Sequence, residues 1–439
     1  MAGKLLNEIK EFTTPLKEKI MAETFWSLAS KAAASIFFLL LNVFLARYLG
    51  PENYGSWSYF FAILNILFLI SYLGINQSAR KYVAEYKGTK TLIHVLKSSL
   101  KLRLAFSAIF ALFIFIFHKQ LAEMLGRSDF EVLFLLSVPL IFLRGFVEYF
   151  KFIFQGFHKL KYNFITTLSE HGLRFFAVIV LLPVFGSLAS ILFSFNIAII
   201  ITLIVGSALF YFGIYSKNNI ENGNRKDDLT SEILKYSIPL LIVNVGTATA
   251  IELDTVMIGV LSTDAEVGIY SVAKQIISKL PHIAIAIGLG AMPVFAKLNS
   301  KNKEKLQSIL TRLLKINGLI FFTLSALILA TSWFFIPTIF GSEYSQSVAP
   351  LMILTGYLII FSYIVILSFF LDYRGLAKKR AINMTISVLL NILLNLLLIP
   401  KLGAIGASIS TTFAYIPYLV LNWYEVKKEM ARIDSKSTS

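Results

Sequence analysis

The chain has 439 residues, of which 56% are hydrophobic and 15% are charged, and its mean hydropathy is +0.72. Soluble domains carry about 25% charged residues, so this composition excludes a soluble enzyme, a disordered chain and a fibrous repeat. The formal net charge is +16 and there are no cysteines, which excludes disulfides and cysteine nucleophiles. The composition therefore predicts a polytopic helical membrane protein.

Residues 1–23 are predicted to form an amphipathic helix that lies on the membrane surface. Their apolar side chains recur at helical spacing, and acidic residues are interspersed among the lysines. A secretory signal peptide has an uninterrupted apolar core instead, so this segment is not predicted to be one.

Twelve apolar segments follow, each near the length that a helix needs to cross the hydrocarbon layer. They run continuously rather than alternating with polar residues, which excludes membrane-spanning strands. The segments are Thr24–Tyr48, Tyr54–Ile75, Leu100–Phe117, Val132–Phe150, Tyr162–Val184, Leu188–Tyr211, Leu234–Leu261, Val267–Phe295, Leu313–Ile336, Val348–Phe370, Ile382–Ile399 and Ile405–Trp423.

The basic residues predict the orientation of these segments. With both termini in the cytoplasm, the inside segments and adjoining span ends carry 32 of the 41 Lys and Arg residues, and the outside loops carry four. Inside loops of membrane proteins collect Lys and Arg, so the asymmetry predicts a multi-pass protein of the cell membrane with cytoplasmic termini. These inside Lys and Arg residues also explain most of the net positive charge. Their expected partners are anionic lipid headgroups of the inner leaflet, so no nucleic acid partner is predicted.

Two turn motifs recur at nearly half the chain length and indicate duplication of a six-helix unit. LGPENYGSWS and STDAEVGIYS place Gly55 and Gly268 213 residues apart, while LLPVFGSLAS and LIPKLGAIGAS place Gly186 and Gly403 217 residues apart. Because six is even, both copies enter the membrane from the same side. The predicted domains are an interfacial segment at 1–23, bundles at 24–215 and 232–426, a cytoplasmic linker at 216–231 and a tail at 427–439.

Four stretches resemble polysaccharide flippases of the Wzx type. ELDTVMIGVLSTDAEVGIYSVAKQI resembles their seventh-helix hairpin and ARYLGPENYGSWSYF their first hairpin. GINQSARKYVAEY is similar to the segment after their second helix, and NILLNLLLIPKLGAIGASIST to their penultimate loop. The order and spacing of these motifs extend the resemblance over nearly the whole chain.

The resemblance implies a MATE-like fold, in which twelve transmembrane helices form two six-helix bundles arranged as a V around a central cavity. It implies transport of an oligosaccharide on a polyprenyl diphosphate carrier from the inner to the outer leaflet by alternating access. Polysaccharide polymerase machinery is an implied partner, no cofactor is implied, and the protein is not expected to be an enzyme. Lipid II flippases usually have two further helices, which are not visible in this sequence.

Charged residues within spans are costly and are therefore candidates for function. Arg144 and Glu148 are four residues apart, as are Glu170 and Arg174, so each pair is predicted to meet along one helix face. A structural ion pair and a functional role remain open for both pairs. Glu170 is a candidate for ion coupling and Arg174 for substrate binding.

The seventh and eighth segments carry charges at matching depths on either side of their turn. Asp254 and Lys274 are therefore predicted to pair across the hairpin, with Glu252 slightly deeper. Structural pairing and cation coupling remain open, so Asp254 and Glu252 are ion-coupling candidates and Lys274 is a substrate-binding candidate. Asn391 and Asn395 are expected to form hydrogen bonds between helices.

Lys31 and Lys279 have no obvious local counter-charge in the sequence. We expect both to face a water-filled cleft and to attract the diphosphate of a lipid-linked sugar, since an ammonium group binds phosphate as a point charge. The matching first and eighth helices of the resembling family also line its cavity. Asn244 is a further candidate that would contact sugar hydroxyl groups from the seventh segment.

Other functions are less favoured by the sequence. There is no HExxH motif, no phosphate-binding P-loop and no metal-ligand spacing among the five histidines. An ion-coupled exporter of organic cations, using Na+ or H+, is the alternative on the same fold. Glu252 and Asp254 keep that alternative open, whereas the basic Lys31 and Lys279 oppose it. An oligosaccharide polymerase or glycosyltransferase is disfavoured by the short outside loops.

Overall fold

Long helices make up the regular structure of the residues that the computed structural model describes, which are 2–216, 229–297 and 303–435. The predicted linker at 216–231 lies largely outside these residues, as does the end of the predicted tail. The helices are α1 (Ala2–Tyr72), α2 (Ile75–Tyr86), α3 (Leu92–Met124), α4 (Phe130–Gly156), α5 (Leu160–Phe185), α6 (Leu188–Phe210), α7 (Thr230–Leu261), α8 (Asp264–Ile277), α9 (Pro281–Lys297), α10 (Lys303–Phe340), α11 (Val348–Tyr373) and α12 (Ala377–Ser435).

The helices have the length and surface of membrane spans. Across the described ranges, nine helical stretches are long and apolar enough to cross a bilayer. Large apolar side chains such as Leu319 and Trp333 are exposed on them, as expected for a surface that faces lipid rather than water. The chain is therefore an all-α integral membrane protein, and the count of twelve spans stays a prediction.

Two of these stretches contain a pair of predicted spans separated by a bend. α1 bends at Gly50 (φ +71°) and α12 bends at Gly403 (φ +51°), both in the left-handed region that favours glycine. In α12 the bend is stabilised by Glu266, whose Oε2 accepts a hydrogen bond of 2.7 Å from the backbone N–H of Ala404. Glu266 therefore caps the helical segment that begins after Gly403.

The chain divides into two compact units. Unit 1 contains residues Met1–Phe44 and Ile63–Thr249, and unit 2 contains Leu45–Ala62 and Ala250–Ser439. The hairpin Leu45–Ala62 therefore packs with helices from the second half of the sequence. The predicted bundles at 24–215 and 232–426 describe the duplicated sequence and remain a proposal.

Each unit has its own apolar core. The buried core of unit 1 joins side chains of α2, α3 and α4, including Val83, Val95 and Phe154. That of unit 2 joins α10, α11 and α12, including Leu310 and Phe370. Contact among bulky apolar side chains gives each unit van der Waals stabilisation that does not depend on the hydrophobic effect, which is weak between helices in lipid.

Two basic residues that the charge count includes among the inside segments and adjoining span ends are buried within helices. Arg103 in α3 has no exposed surface, and Lys151 in α4 is 7% exposed. Arg103 donates hydrogen bonds to the Ser107 hydroxyl (2.8 Å from Nε) and to the Ser71 carbonyl (2.9 Å from Nη2). Both residues lie near a predicted span boundary, where hydropathy does not distinguish a loop from a polar helix end, so their burial does not follow from the charge count.

Gly145→Ala is expected to destabilise the protein by about 1–3 kcal/mol through overpacking. A methyl group at this position would lie 2.6 Å from the Arg103 guanidinium, which its hydrogen bonds hold in place. Thermal unfolding in detergent measures the effect, with Gly206→Ala as the control because its Cβ would have ordinary contact at 3.4 Å. The penalty should shrink in an Arg103→Ala background, and equal penalties in both backgrounds would contradict the assigned contact.

Candidate functional site

Asp254 of α7 is a buried carboxylate whose charge is met by neutral donors. Asp254 is 7% exposed to solvent. Oδ1 accepts a hydrogen bond of 2.8 Å from Asn395, and Oδ2 accepts hydrogen bonds from the hydroxyl groups of Tyr270 (2.7 Å) and Thr411 (2.5 Å). Among the described side chains, no Lys, Arg or His forms an ion pair with it. Hydrogen bonds from three polar groups therefore offset the cost of burying this carboxylate.

The groups around Asp254 supply several oxygen atoms. Asn395 Nδ2 also lies 3.2 Å from Asn391 Oδ1, and Asn391 Nδ2 lies 3.3 Å from Thr411 Oγ1. The buried Asn395 Oδ1 accepts no hydrogen bond from the described residues. Carboxylate, amide and hydroxyl oxygens are ligands for hard cations, and a carboxylate can instead take one proton. No group of three His, Asp or Glu in the described ranges is arranged to hold a metal ion.

Lys274 of α8 pairs with Glu252 rather than with Asp254. Its Nζ lies 2.7 Å from Glu252 Oε2 and 2.8 Å from Thr255 Oγ1. The predicted Asp254–Lys274 pair is therefore wrong. The prediction used only the equal depth of the two residues along their helices. Which side chains meet also depends on their positions around the helix axes, and the α8 side chain that contacts Asp254 is that of Tyr270.

Lys279 lies in an interruption of the predicted eighth span. α8 ends at Ile277 and α9 begins at Pro281, so residues 278–280 leave the regular helix. Lys279 is exposed, and it is within electrostatic range of Glu252 and Lys274. Its backbone carbonyl faces the His282 ring nitrogen at 3.1 Å. The turn between α8 and α9 therefore exposes a long basic side chain, while the amides of Ser278 and Leu280 and the carbonyls of Lys279 and Leu280 keep hydrogen bonds within the chain.

Glu170 of α5 is the centre of a buried charge cluster in unit 1. It is 1% exposed and forms ion pairs with Lys151, Arg174 and Arg144. The Arg174 Nη2 lies 2.5 Å from Glu170 Oε1, as the spacing of four residues predicts, whereas Arg144 Nε lies 3.8 Å from the same oxygen. Three cations around one carboxylate stabilise its ionised form in a medium of low dielectric constant.

The predicted pairing of Arg144 with Glu148 is replaced by a different one. Glu148 binds Lys151, at 2.8 Å between Oε1 and Nζ, so α4 has an ion pair at a spacing of three residues rather than four. The guanidinium of Arg144 lies over the Phe68 ring, 4.2 Å from its centroid. Sequence analysis missed Lys151, although its spacing from Glu148 on a helix was a signal that could have identified it.

The other predicted site residues lie apart from these clusters. Lys31 is exposed on α1 in unit 1, where the described residues make no ion pair with it. Asn244 is half-buried on α7, also in unit 1. The structure thus brings Glu252, Asp254 and Lys274 together in unit 2, near Lys279, and Glu170 and Arg174 together in unit 1.

Comparison with known proteins agrees with the resemblance seen in the sequence. Residues 20–299 match the family described as polysaccharide biosynthesis protein. The probable low-salt glycan biosynthesis flippase Agl15 of Haloferax volcanii is 24% identical over 387 residues, which cover 86% of this chain and 77% of that protein.

Solved structures of the same fold are similar over most of their length. A multidrug resistance MATE family transporter of the MOP superfamily, in an inward-facing conformation, has a TM-score of 0.72 at 14% identity, covering 92% of this chain and 96% of the other. The lipid II flippase MurJ, in an inward closed conformation, has a TM-score of 0.71 at 17% identity, covering 94% and 91%. The chain therefore belongs to the polysaccharide biosynthesis protein family, and its fold is that of the MOP superfamily of transporters.

Proposed function

We propose that the protein is a flippase that carries an oligosaccharide on polyprenyl diphosphate from the inner to the outer leaflet of the cell membrane. Its family, together with the glycan flippase Agl15 and the lipid II flippase MurJ among its similar proteins, supports a transporter of lipid-linked glycans that performs no chemical conversion. The proposal rests on twelve spans in two six-helix bundles that alternate in access to the two sides. Polysaccharide polymerase machinery is the partner that would use the delivered unit.

The observation that carries this proposal is an exposed lysine at an interruption of a membrane-spanning helix. The hydrocarbon layer disfavours a charged side chain by about 2.5–3.5 kcal/mol, so an ammonium group in a span is stabilised by a counter-charge, water or an anionic ligand. Glu252 lies within electrostatic range of Lys279 but also pairs with Lys274. A diphosphate supplies that anion, and Lys279 would bind it as a point charge. Lys31, in unit 1, remains a further proposed substrate-binding cation.

The remaining basic candidates have a supporting role in this proposal. Lys274 and Arg174 are each held by a carboxylate, Glu252 and Glu170 respectively. Their charges are therefore compensated before any ligand arrives, and they would set the position of neighbouring groups. Asn244 remains the candidate for contact with sugar hydroxyl groups.

Asp254 is the proposed coupling residue for a Na+ or H+ gradient. Its carboxylate has neutral partners, so it can exchange a bound cation or proton without breaking an ion pair. Glu252 and Glu170 are weaker candidates because each already neutralises a lysine or arginine. A cation that binds Asp254 more tightly in one conformation than in the other would shift the transport equilibrium.

Export of organic cations is the second candidate function. The MATE fold and the acidic Asp254 favour it, whereas the basic interruption at Lys279 would repel a cationic drug. Purified protein in liposomes distinguishes the two functions. We expect a fluorescent polyprenyl-diphosphate oligosaccharide to reach the opposite leaflet and an organic cation not to accumulate. Accumulation of the cation without movement of the glycolipid would overturn the proposal.

Lys279→Ala is expected to lower the initial flipping rate about tenfold, because a charged hydrogen bond contributes about 1.5–3 kcal/mol. Lys279→Arg should retain most of the rate, since it keeps the charge. The matched control is Lys378→Ala, which removes an exposed lysine near the start of α12. Flipping in liposomes, normalised to inserted protein, measures the effect. An unchanged rate in Lys279→Ala would remove this residue from the substrate site.

Asp254→Asn is expected to abolish stimulation of flipping by an imposed Na+ or H+ gradient while leaving the fold intact. An asparagine has nearly the same shape and keeps an oxygen that can accept from Thr411 or Tyr270, but it lacks the charge that binds a cation. The measurement is the ratio of flipping rates with and without each gradient. Glu304→Gln serves as the control because it changes an exposed carboxylate near the start of α10, outside the cluster. Persistence of the full stimulation in Asp254→Asn would exclude Asp254 from coupling.

Glu170→Gln is expected to destabilise unit 1 by about 3–5 kcal/mol, the usual cost of removing one partner from a buried ion pair. The substitution leaves Lys151 and Arg174 without their shared counter-charge. Thermal unfolding and the yield of monodisperse protein measure this effect. Normal stability combined with loss of gradient stimulation would instead assign Glu170 to coupling.

A further inference from the structure

Two glycines at repeat-related positions bring two hairpins into backbone contact within unit 2. A methyl group built on Gly55 would overlap the backbone carbonyl of Asp264, and one built on Gly268 would overlap the backbone carbonyl of Pro51. Both glycines are buried. The chain segments therefore touch at a distance that no residue with a side chain allows.

The contact is reciprocal, as expected for a two-fold relationship between the duplicated halves. Gly55 and Gly268 are 213 residues apart, and so are Pro51 and Asp264. In each hairpin, the glycine therefore meets a backbone carbonyl of the other hairpin, and a backbone carbonyl meets the other hairpin's glycine. A self-complementary contact of this kind is characteristic of an isologous interface, in which residue i meets j and j meets i.

The hairpin Leu45–Ala62 also forms hydrogen bonds with the end of α10 and the short turn that follows it. Arg47 Nε donates to the backbone carbonyl of Ile339 (2.6 Å), and the same guanidinium bonds to the carbonyl of Thr338. The hydroxyl of the buried Tyr344 donates to the backbone carbonyl of Ala46 at 3.0 Å. None of these bonds joins two charged groups, so each can break and re-form without leaving an uncompensated ion.

We propose that Gly55 and Gly268 are positioning residues of the transport cycle, whose reciprocal contact closes the protein on the outer side and parts when the substrate is released there. The charge distribution predicts that both hairpins lie on the outer side. The attraction in a van der Waals contact between backbones falls by a quarter or more when a gap of about 0.5 Å opens. The contact is therefore either closed or separated, with no stable arrangement between the two. Glycine at both positions sets how often the closed arrangement forms.

The proposal rests on the proposed alternating access, but its test measures access of a reagent rather than flipping. Because the chain has no cysteine, Ser271→Cys provides a single thiol, one helical turn from Gly268 at a residue that is 9% exposed. A membrane-impermeant maleimide is added from the outside to cells or oriented vesicles. Slow labelling is expected when the hairpins are in contact.

Gly55→Ala and Gly268→Ala are each expected to raise the labelling rate of this thiol about tenfold or more, because a Cβ prevents the closed contact. The double variant should label little faster than either single variant, since both substitutions break the same contact. The matched control is Gly246→Ala, a helical glycine whose added Cβ would meet no heavy atom of another described segment within 4 Å. Its labelling rate should equal that of the parent protein.

Tyr344→Phe keeps the proposal testable if the glycine variants do not fold. It removes the hydrogen bond to Ala46 without adding volume, so it should raise labelling in the same direction by about threefold, near the contribution of one hydrogen bond. A labelling rate that stays at the parental value in a folded Gly55→Ala or Gly268→Ala variant, or in Tyr344→Phe, overturns the proposal. If the glycine variants label faster but the parent protein moves no glycolipid, the hairpin contact is supported and only the proposed function is rejected.

Discussion

Compensation of charge within an apolar medium is the constraint on which the candidate site depends. Insertion of one charged residue into the hydrocarbon layer costs about 2.5–3.5 kcal/mol, so each such residue must have a counter-charge, hydrogen-bond partners or access to water. Unit 1 satisfies this constraint with ion pairs around Glu170. Unit 2 uses an ion pair at Lys274 but only neutral donors at Asp254. The two buried carboxylates therefore differ in their partners, since Lys and Arg side chains surround Glu170 and neutral donors surround Asp254.

The all-α membrane class could be predicted from the sequence because continuous apolar runs of this length have few alternatives to membrane helices. Turn glycines were also informative, since Gly50 and Gly403 have positive φ where two predicted spans meet. Span ends were harder to place. Arg103 and Lys151 lie near predicted span boundaries, and the sequence did not indicate that both are buried among polar partners. Hydropathy measures the mean environment of a window and carries no information about a single buried ion with a specific partner.

Pairing between side chains could be predicted along one helix but not across helices. The Glu170–Arg174 pair follows from a spacing of four residues. The partner of Asp254 did not follow from depth, because the angular positions of α7, α8 and α12 decide the contact. Asn391 and Asn395 were expected to bond between helices, and Asn395 does bond to Asp254. What the sequence lacked was the convergence of three helices on one carboxylate, which is a property of tertiary packing.

One helix, α8, connects the features that the proposals use. Its first turns carry Asp264 and Gly268, which touch the first hairpin, and Glu266, which caps the segment after the bend at Gly403. The next turn carries Tyr270, which donates to Asp254. The same helix therefore contacts the hairpin, the bend of α12 and the carboxylate within two turns.

Under the proposed coupling, this arrangement would connect a cation at Asp254 with the glycine contact between the hairpins. Thr411 and Asn395, both partners of Asp254, lie on opposite sides of the Gly403 bend, so a change in the bend alters the set of oxygens around the carboxylate. A cation can bias the position of α8 only if that oxygen set differs between the closed and separated states. Duplication of a six-helix unit would explain the symmetry of the glycine contact. The proposed coupling would then distinguish the two halves by their carboxylates, since Asp254 has neutral partners in unit 2 while Glu170 pairs with cations in unit 1.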